Sequence, residues 1–154
     1  MLMTALVGSV GYGLIFAILK VRHAYNSYSV NQMLFTAALH GNTEEVVKLV
    51  ADGGNVNYKG EGHTPLMVAV QSGHVDTVAA LIGRGADVNG RDPSGRTALM
   101  IAAGAGNRGI VHYLISRHAD VRAKDNDGIT ALALAKGQRF DGVIDMLERG
   151  GAKE

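Results

Sequence analysis

The sequence predicts an all-α fold: a single transmembrane helix followed by a solenoid of stacked helix-turn-helix units joined by β-turns. Three observations carry that expectation. Met1 to Leu19 contains no charged side chain. The rest of the chain aligns with itself at a shift of 33 residues. The composition is 47% apolar but only 5% aromatic, with 21 glycines among 154 residues. Many small helical units, each closed by a glycine, account for that combination better than one large core does.

The first element is the uncharged run. As a helix it reaches about 28 Å, close to the roughly 30 Å of bilayer hydrocarbon. Nine Leu, Ile, Val or Phe side chains favour insertion, and Gly8, Gly11, Gly13, Thr4, Ser9 and Tyr12 return part of the gain. A cleaved secretory signal wants positive charge before the apolar stretch and small residues after it. Here Lys20 and Arg22 come after, and Val21-Arg22-His23-Ala24-Tyr25 offers no good cleavage pair. The expectation is therefore a membrane helix over 1–21 and a juxtamembrane linker over 22–30. A processed signal on an exported protein, and a buried helix, are the alternatives. Flanking Lys and Arg stay on the cytoplasmic side, so the N-terminus is expected outside and the remainder inside. Ser9 and Gly13, widened by Gly8 and Gly11, form a small-residue strip for helix packing.

The repeat follows. Gly62, Gly95 and Gly128 coincide, as do Thr64, Thr97 and Thr130; Leu66, Leu99 and Leu132; Ala69, Ala102 and Ala135; and Leu81, Leu114 and Leu147. Thr64 is placed to cap a helix whose first position is Pro65. Leu66, Ala69 and Val70 then share one face, and Gly73 ends the helix. A second helix runs through Val75, Val78, Ala79, Leu81 and Ile82 to Gly83-Arg84-Gly85. Four units result, over 31–57, 58–91, 92–124 and 125–154. The first is offset by 32 residues and lacks the Gly-x-Thr-Pro opening.

These residues resemble the ankyrin repeat. Gly62-His63-Thr64-Pro65-Leu66, Gly73-His74-Val75-Asp76 and Gly85-Ala86-Asp87-Val88-Asn89 match its pattern in order and spacing. The pattern recurs at Gly95-Arg96-Thr97-Ala98-Leu99 and weakens at Gly128-Ile129-Thr130-Ala131-Leu132. The resemblance implies an ankyrin-repeat solenoid over 31–154 and a role in protein–protein interaction. It departs where the family often carries His after Thr-Pro-Leu, for Met67, Met100 and Ala133 stand there. A looser polar network at the helix starts is the consequence expected.

Chemical motifs are sparse. Zero cysteines exclude a disulfide scaffold, a zinc ribbon, an iron–sulfur cluster and a thiol nucleophile. Fifteen basic and fourteen acidic residues leave no field to draw in nucleic acid. Gly104-Ala105-Gly106-Asn107-Arg108-Gly109 reads as an inter-helix turn, since a dinucleotide site needs a strand before it. Asp125-Asn126-Asp127-Gly128 reads as an Asx turn, because Ala123 and Leu134 fall where a calcium loop needs acids. The six histidines show no metal-ligand spacing. Arg84, Arg91, Arg96, Arg108, Arg117, Arg122 and Lys124 are interleaved with acids and read as a solvated face. The sequence therefore points to no enzyme, no cofactor, no metal, no nucleic acid and no small-molecule substrate. The resemblance places partner contacts on the turns and first helices. By position these are Glu61, His63, Gln71, Ser72, Arg91, Arg96, Lys124, Asn126, Asp127 and Ile129. The expected function is a membrane-anchored adaptor or accessory subunit of a larger integral membrane complex.

Overall fold

The computed structural model describes Lys20 and residues 28–152. The membrane helix expected over 1–21, with its strip of Gly8, Ser9, Gly11 and Gly13, lies almost wholly outside the described residues. Among those described, no helix is long and apolar enough to cross a membrane.

Eight helical segments appear among the described residues. They are α1 (28–39), α2 (Thr43–Ala51), α3 (Pro65–Gln71), α4 (Val75–Gly83), α5 (Ala98–Gly104), α6 (Arg108–Ser116), α7 (Ala131–Gly137) and α8 (Asp141–Arg149). First helices stack as one row, α3 on α5 and α5 on α7. Second helices form the other, α2 on α4, α4 on α6 and α6 on α8.

Local chemistry sets each boundary. Thr64, Thr97 and Thr130 accept hydrogen bonds from the amides of Met67, Met100 and Ala133, so the first-helix start is capped in three units. Gly73 and Gly106 then adopt positive φ, and the chain reverses into a second helix capped by Asn42 in α2 and Asn107 in α6. In unit four the reversal falls on Arg139, at φ 60°. The core is aliphatic and runs the length of the stack, through Leu34, Val46, Leu66, Leu81, Leu99, Leu114, Leu132 and Leu147. Met67 and Met100 are buried in it, while Ala133 at the same position of unit four is exposed. Val75, which the apolar pattern of α4 includes, points to solvent.

The 32-residue offset has a physical location. In unit three the turn is closed by Asp92 N to Arg96 O, and in unit four by Asp125 N to Ile129 O. In unit two the ends are Gly60 and His63, one residue closer, paired by two backbone bonds of 3.0 Å. Only Glu61 and Gly62 lie between them, at φ 52° and 85°, a two-residue turn of the kind that needs positive φ at both positions.

Candidate functional site

The turns and the exposed side of the first-helix row carry the candidate residues. Glu61 and His63 lie in the turn before α3, while Gln71 and Ser72 end that helix. Arg91 and Arg96 flank the turn before α5; Lys124, Asn126, Asp127 and Ile129 form the turn before α7. The structure brings Gln71 and Arg96 together at a recess of about 300 Å³, completed by Met100, Ile101, Gly104, Ala105 and Leu134. Ile101 and Leu134 are half-buried residues at equivalent positions of successive units. Sequence reasoning missed them. The signal was there in the apolar column Val68, Ile101, Leu134, whose first member alone is buried.

Other candidates turn out to hold the scaffold. One Arg91 Nη1 donates to Gly95 O at 3.0 Å and to Lys124 O at 2.6 Å, tying unit two to unit three. Asn126 donates through Nδ2 to Pro93 O and through its backbone amide to Ser94 O. His63 reaches the next unit, its Nε2 3.7 Å from Asp92 Oδ2. Much of the expected solvated basic face behaves likewise. Arg84 donates to Val47 O and Arg122 to Gly151 O, each in a neighbouring unit. Arg117 lies over the Tyr113 ring at 5.2 Å.

Asp92 organises the turn before α5. It accepts from the amides of Ser94 and Arg96, and from the Arg96 guanidinium through Nε and Nη2, all at 2.9 Å. Burial pushes its carboxyl up. The hydrogen bonds from Arg96, that residue's charge and the Ser94 amide outweigh burial and hold it below the ordinary 3.8. The Arg96 side chain is thereby fixed on the lip of the recess with its charge largely matched. Asp125 repeats the backbone part of this arrangement, accepting from the amides of Asp127 and Ile129, as an Asx turn requires.

The recess therefore presents aliphatic surface, one amide and one fixed guanidinium. Such a surface buries an apolar side chain and hydrogen-bonds beside it; it holds no nucleophile and base in contact. Among the described residues no group of three His, Cys, Asp or Glu side chains is placed to hold a metal ion. Gly104 to Gly109 runs from the last residue of α5 through the inter-helix turn into the start of α6.

Comparison with known proteins agrees with this geometry. A family model described as "Ankyrin repeats (3 copies)" matches residues 3–92 and again 79–153. An ankyrin repeat-containing protein of Schizosaccharomyces pombe is 40% identical over 63 residues, covering 40% of this chain and 30% of that protein. The chain thus aligns with less than a third of that relative's length. Helix pairs recurring every 33 residues, and family matches running from residue 3 to residue 153, place this chain in the ankyrin-repeat family.

Proposed function

We propose that the chain is a protein-recognition module whose binding side is the turn and first-helix row, centred on the recess at Gln71, Arg96, Ile101, Ala105 and Leu134. The observation that carries this reading is the recess itself, for its apolar floor and polar lip are the anatomy of a small interface core. Capture of partners from source cells tests it. Ile101→Glu in the floor is expected to abolish recovery of a stoichiometric partner, while Val75→Glu, on α4 in the other row, leaves it intact. Equal recovery with both variants would move the binding side elsewhere.

A second reading concerns placement. The uncharged run from Met1 to Leu19, followed by Lys20 and Arg22, favours an anchor over residues 1–21, with the N-terminus outside and the stack on the cytoplasmic side. The chain would then serve as an accessory subunit or adaptor of an integral membrane complex. Co-purification with such a complex in mild detergent is its test. Recovery of the bare chain counts against it, and loss of about 20 residues by intact mass would point to an exported, processed form.

A further inference from the structure

Each turn is entered through a cation. Lys59, Arg91 and Lys124 stand immediately before Gly60, Asp92 and Asp125, whose amides close the three turns. The shorter turn of unit two puts Lys59 at 32 residues before Arg91, whereas Lys124 follows Arg91 at 33, so one constant shift does not align them. All three are exposed.

The row is held in order by its own members. Lys59 Nζ donates to Arg91 O at 3.1 Å, and Arg91 Nη1 donates to Lys124 O at 2.6 Å. Both side chains therefore lean the same way, onto the backbone at the start of the next turn. A carbonyl has no net charge, so these bonds orient the cations without neutralising them. Among the described residues, none of the three forms an ion pair. Lys59 keeps two ammonium protons, and Arg91 its Nε and Nη2, for a further acceptor.

Most nearby acids are engaged elsewhere. Asp87 and Asp120 accept from the amides of Asn89 and Arg122, and Asp92 and Asp125 accept within their own turns. Glu61 and Asp127 stand exposed at two turn tips and limit what can bind. A nucleic-acid strand, with a phosphate about every 3.4 Å of helix axis, would bring charge against them as well. An anion recurring once per unit meets the row alone. Packed helices of neighbouring units stand about 8–10 Å apart, and the cations recur with the units.

We infer that Lys59, Arg91 and Lys124 form a docking row for an acidic peptide segment whose carboxylates recur about every 9–10 Å. This rests on the turn side being the binding side, and it adds to the recess a charge that the partner carries. Polyproline II is a rigid ruler for the spacing. Three residues per turn, at a rise of about 3.1 Å, return every third side chain to one face after about 9 Å.

The probe is a fluorescein-labelled peptide of four Glu-Pro-Pro repeats. Its control carries the same four glutamates in one block, followed by the eight prolines. By fluorescence anisotropy with the full chain at low salt, the repeat is expected to bind about fivefold more tightly than the block. Lys59→Glu with Lys124→Glu should weaken the repeat about tenfold. Ile101→Glu should leave it unchanged, so the row and the recess fail separately. Comparing the two peptides needs only the unaltered chain and does not depend on how variants fold. Four results would overturn the inference. Repeat and block bind equally; the double reversal binds the repeat as well as the unaltered chain does; Ile101→Glu weakens the repeat as much as the reversal, which puts the peptide in the recess; or a single-stranded DNA of equal charge binds more tightly than the repeat, making the row a phosphate site.

Discussion

Asp92 shows how much one side chain can decide. Its carboxylate ties together the turn that positions Arg96, and its charge is matched by the residue it positions. Asp92→Asn is expected to cost about 2 kcal/mol at neutral pH, because a buried charge-assisted pair loses one member. Since the folded carboxyl titrates below 3.8, its stabilising contribution is complete above that value and fades as pH falls through the folded pKa. Urea denaturation of both proteins at neutral and acidic pH should therefore show the gap closing in acid. A gap independent of pH would mean that Asp92 acts by shape alone. His118 makes the opposite case. It sits at φ 64°, where units one, two and four place Gly53, Gly85 and Gly151 at φ of about 90°. Relief of left-handed strain predicts that His118→Gly stabilises the protein by about 1 kcal/mol, read as a higher denaturation midpoint.

At the level of helices and turns, stacking depends on bonds that cross from unit to unit. Asn57 accepts from Asp87 N and donates to Gly85 O; Asn89 accepts from Asp120 N and donates to His118 O. Each asparagine thus satisfies a donor and an acceptor at the end of the next second helix. Asn89→Ala removes both bonds, and a cost of about 1–2 kcal/mol is expected. Amide hydrogen exchange should then quicken first in α5 to α8, which lie beyond that junction; uniform loss of protection would contradict this. The sequence made the helices legible because caps, glycines and apolar columns lie within a few residues of one another. Thr64, Thr97 and Thr130 announce three starts, and Gly73 and Gly106 two reversals. The staples were not legible. Asn57 and Asp87 are 30 residues apart and occupy different columns of the repeat, so no self-alignment pairs them. The unit-to-unit bonds of Arg91 and Asn126 were not legible either, since their partners are backbone carbonyls that carry no sequence signal. Two of the seven residues that line the recess, Gln71 and Arg96, were among the candidates read from the sequence. Ile101 and Leu134 were not, because an apolar residue on a first helix looks like core until its exposure is seen.

For the whole molecule, a row of units needs ends that differ from its middle. In unit four Lys136 and Glu148 pair at 3.7 Å, in the columns where units two and three carry Val70, Ala103, Ile82 and Ile115, so that face of the unit is polar. Restoring the interior pattern with Lys136→Val and Glu148→Ile is expected to expose an apolar face and make the chain self-associate with rising concentration, visible by sedimentation velocity. A variant that stays monomeric would show that the polar end is incidental. The central claim is that this stack works through one of its two rows. Hydrogen exchange measured with and without a captured partner tests that claim most directly. New protection is predicted in the turns before α5 and α7 and along the exposed sides of α3, α5 and α7, with α4, α6 and α8 unchanged. Protection confined to α4, α6 and α8 would contradict it.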